Sequence, residues 1–481
     1  MSKSNVGLSG ERGPILLAIM VATGLAALDT TILSTAVPSV VQDLGNFSQF
    51  PWLFSIYLLA QSVTVPLYAK ISDLFGRKPV LLWGIALFLL GSIACSLSGS
   101  MFLLILSRGL QGLGAGAILP MTITIAGDLY TVEERSRVQG YMASVWGISS
   151  VVGPALGGLF CQYLSWQGIF VLNLPLGLAA MFLLVKNFHE TVHHRDHKLD
   201  WLGGALLTLG LTLLILALLE GGVSWAWNSV WSWGSFGLGG LFLAVFLWTQ
   251  TRTAEPILPL WVFTRPLLLT TSLISFGVGA ILLGLSSYLP TFLERALGLP
   301  PLASGSVITA LMIGWPIAAS YSGRIYLRIG FRKTSLAGIG FLLLGGLVLI
   351  TQAAHPWLPL IIATCLVMGV GFGLAATPII VAAQASVEWN QRGVVTGTNQ
   401  FARAVGSSVG IALFGALANS VFLKTGNTPN VQLVESATGR VFWAILAVIA
   451  LTLIAGIFMP ETKTHQSTPK SSTPEPQQAE A

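Results

Sequence analysis

Charge is scarce in this chain. Asp, Glu, Lys and Arg together make up 9% of its 481 residues, against about 25% in an ordinary soluble protein. With 54% of the residues hydrophobic, a water-soluble globule is excluded. Cysteine is nearly missing as well. Cys95, Cys161 and Cys365 stand singly in apolar runs, without disulfide or metal-ligand spacing, and read as core filler. No clustered acids, metal constellation or nucleophile beside a base lies near a membrane interface, so an enzyme acting on lipids is excluded. The connections between apolar runs are mostly a few residues long, too short to fold as a soluble catalytic domain. The net charge of +6 would suggest nucleic acid in a soluble protein, but its distribution gives it another role and excludes that partner.

What the chain does have is apolar runs of about 20 residues, each long enough to cross roughly 30 Å of hydrocarbon. Fourteen spans are expected: 15–38, 51–71, 79–98, 101–127, 138–163, 166–186, 201–220, 232–251, 267–293, 304–327, 334–353, 358–383, 393–423 and 440–459. The first carries no small-residue cleavage site and is read as a retained helix. Alternate connections hold nearly all the basic residues, among them Lys70, Arg77, Lys78, Arg135, Arg137, Arg324, Arg328, Arg332 and Lys333, while the others hold only Arg295, Lys424 and Arg440. That asymmetry places both termini in the cytoplasm and requires an even number of spans. The longest polar connection, 187–200, contains His189, His193, His194 and His197. It reads as a solvated linker, since no carboxylate or cysteine is spaced to complete a metal site. The Ser, Thr, Pro and Gln of the tail after Glu461 suit disorder.

The two ends of the chain repeat each other. The segment 130–140 aligns with 387–397, matching Arg135 to Arg392 and Gly140 to Gly397. The same register carries Gly112, Gly114 and Gly116 onto Gly369, Gly371 and Gly373, and Gly153 onto Gly410. A slightly shifted register pairs 69–76 with 323–330. Spans 1–6 and 9–14 are therefore two related halves in the same orientation, with 7 and 8 an inserted pair. The expected divisions are a cytoplasmic N-terminus 1–14, a first six-helix half 15–187, a linker 188–200, the inserted pair 201–251, a second half 252–459 and the tail 460–481.

Three charged residues, Asp29, Arg108 and Arg403, fall well inside spans and away from their ends. Asp29 interrupts the run Leu-Asp-Thr-Thr-Ile-Leu-Ser-Thr-Ala-Val-Pro at 28–38. A carboxylate at such depth marks a functional site, unless it only caps a broken helix beside Thr30 and Thr31. At about 1.5 Å per residue, Asp29 lies about 21 Å from the inner start of span 1 and Arg108 about 10 Å from the outer start of span 4, which puts both in the outer half. They can pair directly or through water. Burial favours a neutral acid and a nearby cation favours its anion, so a conformational change that alternates the two takes up and releases a proton. The same pair also suits a static tie between spans 1 and 4. Arg403, near mid-depth in span 13, aligns with Trp146 in the repeat. It suits steering of an anionic group, balancing Asp29 across a cavity, or helix packing through backbone carbonyls.

The loop Ala-Lys-Ile-Ser-Asp-Leu-Phe-Gly-Arg-Lys at 69–78 resembles the signature between spans 2 and 3 of the major facilitator superfamily. With it, the runs 28–38, 107–116 (Ser-Arg-Gly-Leu-Gln-Gly-Leu-Gly-Ala-Gly), 153–158 (Gly-Pro-Ala-Leu-Gly-Gly) and 166–175 resemble the fourteen-span drug:proton antiporter branch. Ala69 stands where that family usually has Gly, and Gln167 where an Arg is common. The resemblance implies an all-α major facilitator fold in the cell membrane and an exporter working by alternating access without cofactor, with the proton gradient as its drive. It implies a cytoplasmic gate latch from Asp73, Gly76, Arg77 and Lys78, proton coupling through Asp29 and Arg108, and an antiporter motif from Gly147, Gly153, Pro154, Gly157 and Gly158. Glycines also serve close helix packing, and Gly-Pro permits a kink.

For the substrate, the aromatics Tyr57, Trp146 and Tyr288 together with Arg403 are the expected cavity residues. An apolar cavity suits lipophilic compounds, and aromatic faces can hold a cation. The expected activity is export of small, mostly hydrophobic or cationic compounds such as drugs, by a monomer. An exporter or uptake permease for one specific metabolite and a non-transporting membrane receptor are the alternatives.

Overall fold

The computed structural model describes residues 7, 10–45, 52–190, 200–221, 225–253, 256–299, 301–425 and 431–461. The stretch 191–199, with His193, His194 and His197, and the tail beyond 461 lie outside them. A segment that crosses hydrocarbon must satisfy its own backbone, so the apolar runs fold as helices. In order these are α1 (Gly13–Leu44), α2 (Trp52–Phe75), α3 (Arg77–Ser96), α4 (Met101–Leu129), α5 (Val132–Tyr163), α6 (Gly168–Val171), α7 (Asn173–Asn187) and α8 (Trp201–Glu220). There follow α9 (Val230–Gln250), α10 (Trp261–Thr264), α11 (Pro266–Leu297), α12 (Pro301–Ile329), α13 (Phe331–Ala354), α14 (Leu358–Ala385), α15 (Arg392–Thr425) and α16 (Val431–Ile457). Among the described residues, eleven helical segments are long and apolar enough to cross a membrane.

Short polar residues set several starts. Ser100 Oγ accepts from the Leu103 N–H at 3.3 Å, and Asp200 Oδ1 from the Gly203 N–H at 2.8 Å, both N-cap bonds. Just ahead of α3 and α13 stand Gly76 and Gly330, at φ +96° and +89°. Glycine alone takes that left-handed backbone without strain. The two occupy equivalent places in the aligned segments 69–76 and 323–330.

The aligned glycines meet matching neighbours. On α4, Gly112 lies against the Tyr57 backbone of α2, Gly114 against Phe88 of α3 and Gly116 against Thr64 of α2. On α14, Gly369 lies against Leu311 of α12, Gly371 against Gly338 of α13 and Gly373 against Trp315 of α12. A methyl group at any of the six would collide with its neighbour, as close packing of small residues in membrane helices requires. Likewise Gly153 of α5 meets Thr31 of α1, and Gly410 of α15 meets Ala280 of α11. Two further contacts cross between the repeats: Gly140 of α5 meets Ser320 of α12, and Gly397 of α15 meets Ala69 of α2. Ala69 therefore has its glycine on the opposing helix. One apolar core forms within α11 to α16, around Phe292, Phe372, Phe414 and Phe442, and another within α1 to α7, around Phe88 and Ile118.

Candidate functional site

Asp29 of α1 and Arg108 of α4, each 1% exposed, form a direct ion pair of 2.7 Å between Arg108 Nη1 and Asp29 Oδ2. The other carboxylate oxygen accepts from Gln111 Nε2 at 2.7 Å and from Asn173 Nδ2 at 2.9 Å. Both amides also donate to Ser92 Oγ, at 2.9 and 3.2 Å. Arg108 Nε donates to the Leu53 carbonyl at 3.2 Å, Nη1 also to Gln111 Oε1, and the guanidinium lies 4.2 Å from the centre of the Tyr57 ring. Both carboxylate oxygens are thus engaged. A buried pair is worth little in net stability, but removing one partner strands the other at a cost of about 3–5 kcal/mol.

Beside this cluster lies a cavity of about 320 Å³, lined from α1, α2, α4, α5, α11, α12, α14 and α15. Asp29 and Arg108 do not line it. Thr30 and Tyr57 do, so the next residue of α1 and the ring on Arg108 form the wall between the cavity and the ion pair. Trp146 and Arg403 line the cavity as expected. Tyr288 does not, and this corrects its assignment: it packs edge-on against Phe414 at 6.4 Å, its hydroxyl donating to the Ile411 carbonyl at 3.5 Å. The guanidinium of Arg403 lies 4.9 Å from the centre of the Trp315 ring, which stacks on Phe372 at 5.2 Å. Gly279 of α11 admits the Arg403 backbone, since any side chain there would strike the Arg403 carbonyl.

At the end of the bundle that bears the N-terminus, a latch joins the first set of helices to the second. Arg77, 1% exposed, pairs with Asp73 Oδ1 at 2.9 Å and with Asp128 Oδ2 at 3.1 Å, donates to the Trp389 carbonyl at 3.1 Å and lies 4.1 Å from the centre of the Trp389 ring. Asp73 Oδ2 accepts from the Val394 N–H in the first turn of α15 at 2.8 Å, where the helix dipole favours an anion. Gly393 leaves room for that carboxylate. Arg392 Nη1 donates to Asp128 Oδ1 at 3.3 Å and to the Gly127 carbonyl at 3.2 Å. The Tyr326 hydroxyl donates to the Val132 carbonyl, and Gln384 Nε2 to the Ile123 carbonyl at 3.4 Å. Lys78 caps the carbonyls of Val185 and Phe188, while Glu190 accepts from the Arg77 and Lys78 N–H groups at 3.0 and 2.9 Å. In the second repeat Leu327 replaces the acid, and Arg324 lies 5.4 Å from the centre of the Tyr321 ring.

The glycine run on α5 divides. Gly147 faces the Met312 carbonyl of α12, where a Cβ would stand 2.9 Å away. Gly153 abuts Thr31, whose hydroxyl donates to the Ser149 carbonyl at 2.9 Å, and Gly157 is buried. Gly158 is exposed, with nothing within 4 Å of a Cβ there, so its expected part in helix packing is corrected. The helix continues through Gly153 and Pro154. Gln111, Asn173, Asp128, Trp389 and Glu190 join the site only in the folded chain. Gln111 and Asn173 lie inside the runs 107–116 and 166–175, where a polar amide within a span is the one signal the sequence offers.

A family model of the Major Facilitator Superfamily matches residues 19–411. Multidrug resistance protein 3 of Bacillus subtilis (strain 168) is 32% identical over 413 residues, which are 85% of this chain and 80% of that protein. Multidrug transporter protein MdtP of the same organism is 32% identical over 428 residues, covering 89% of this chain and 78% of its own. Among solved structures, a bacterial homologue of the iron transporter ferroportin in an outward-facing state superposes with a TM-score of 0.65 at 14% identity, over 93% of this chain and 98% of that one. At that identity the likeness is one of fold.

Proposed function

Since the chain belongs to the major facilitator superfamily, as a membrane transporter of small molecules rather than an enzyme, we propose that it exports drug-like compounds in exchange for protons. It does so as a monomer in the cell membrane, with fourteen spans, two six-helix halves around an inserted pair, and both termini in the cytoplasm. The relatives' names, a multidrug resistance protein and a multidrug transporter, support drugs as the cargo. The latch then closes the cytoplasmic side, and rocking of the halves carries the cavity from one side to the other.

The observation that carries the proton reading is the Asp29 cluster set behind the cavity wall. A substrate that settles against Tyr57 presses the guanidinium beneath it toward Asp29, and the ion pair so restored expels the proton of the acid. In the conformation described the carboxylate has a donor on each oxygen. A rearrangement that withdraws Arg108 leaves a buried anion, and taking up a proton relieves it. Asp29 is then the proton carrier and Arg108 its switch partner. The test is Asp29→Asn in proteoliposomes. Transport driven by an imposed pH gradient should vanish while counterflow of labelled compound persists. Unchanged gradient-driven transport in that variant refutes the assignment.

A further inference from the structure

The cavity holds one formal charge on its lining, and that charge is positive. Among the described residues Arg403 is the one charged side chain on the lining, and no Asp or Glu lines it. Among the described residues no acidic side chain pairs with Arg403, whereas Asp29 is committed to Arg108 and two amides. The guanidinium rests on the Trp315 face instead. A guanidinium stacked on an aromatic face keeps its N–H edge available for an in-plane, bidentate acceptor. Gln400 and Ser407, three residues before and four after Arg403 on α15, also line the cavity and share its helix face. The three side chains make a donor stripe, and the rest of the lining is largely apolar, with the aromatic faces of Tyr57, Trp146 and Trp315.

We propose that the substrates of this cavity are amphipathic organic anions, with a carboxylate or sulfonate held by Arg403 and an aromatic body against Tyr57, Trp146 and Trp315. The inference rests on the export reading of the same cavity and replaces the expectation of cationic compounds. Two of its features disfavour a cation: the Trp315 face is already occupied by a guanidinium, and no acid answers it. A desolvated guanidinium–carboxylate bond is worth about tenfold or more in affinity.

The test uses three probes of one shape, 1-naphthylacetate, 1-naphthylacetamide and 1-naphthylethylammonium, binding to the full-length protein in nanodiscs of zwitterionic lipid. That lipid keeps anionic headgroups out of the measurement. The wild type should bind the anion about tenfold more tightly than the amide, and the ammonium most weakly. Arg403→Gln should bring anion and amide to equal affinity, and Arg403→Lys should retain part of the preference. Added phosphatidylglycerol that competes with the acetate would identify a lipid headgroup as the source of the anion. An ammonium preference in the wild type, no anion binding at millimolar concentration, or an anion-to-amide ratio unaltered by Arg403→Gln would overturn the proposal. Because binding needs no gradient, loss of proton-driven transport with this charge order intact would sink the export reading alone.

Discussion

Removing the Asp73 carboxylate should open the cavity toward the end of the bundle that bears the N-terminus. Asp73→Ala deletes the 2.8 Å bond to the Val394 N–H and the 2.9 Å pair with Arg77. Arg77 keeps Asp128 and the Trp389 carbonyl, so the loss centres on the bond that crosses to α15. A hydrogen bond to a charged group contributes about 1.5–3 kcal/mol. The ratio of closed to open protein should fall by about 10-fold to about 150-fold. Asp73→Asn should lie between, because an amide oxygen still accepts from Val394 without the charge. The readout is a cysteine at position 376, on the cavity wall, in a background with Cys95, Cys161 and Cys365 replaced by serine. A membrane-impermeant maleimide applied from the side bearing the termini should label it faster by the same factor. Equal labelling rates in wild type and Asp73→Ala would refute the latch.

Gly393→Ala should have the same sign as Asp73→Ala, since the added methyl would occupy the place of the Asp73 carboxylate; maleimide labelling at position 376 checks it. Asn173→Leu removes one donor from Asp29 and a partner from Ser92, and should lower stability by about 1–3 kcal/mol, read as a fall in Tm. Exchange of one organic anion outward for one proton inward moves two charges. An inside-negative potential of about 100 mV then supplies about 4.6 kcal/mol. Valinomycin and a potassium gradient, with no pH gradient, should drive export of 1-naphthylacetate, and a rate indifferent to potential would contradict that stoichiometry.

The ion pair was legible because a charge in an apolar run stands out, and because helix rise brought Asp29 and Arg108 to one depth. Gln111 and Asn173 were not, since a neutral amide costs far less to bury and leaves no comparable mark. Tyr57 and Tyr288 looked alike because helices that are apolar on every side give no signal of which face turns inward. Gly158 was misjudged for the same reason. The positive-φ glycines Gly76 and Gly330 sat in the aligned segments, but the acceptor role of Asp73 toward α15 spans 321 residues and involves a backbone N–H that no side-chain pattern announces. The first span is expected to end at Pro38, and α1 runs on to Leu44.

The most direct measure of proton coupling is release of protons when a transported compound is added to the purified protein in weakly buffered detergent solution, followed with a pH-sensitive dye. The wild type should release protons with the same half-saturation as binding. Both Asp29→Asn and the charge-balanced pair Asp29→Asn with Arg108→Gln should bind the compound and release none. Undiminished release from these variants would mean that the proton is carried elsewhere.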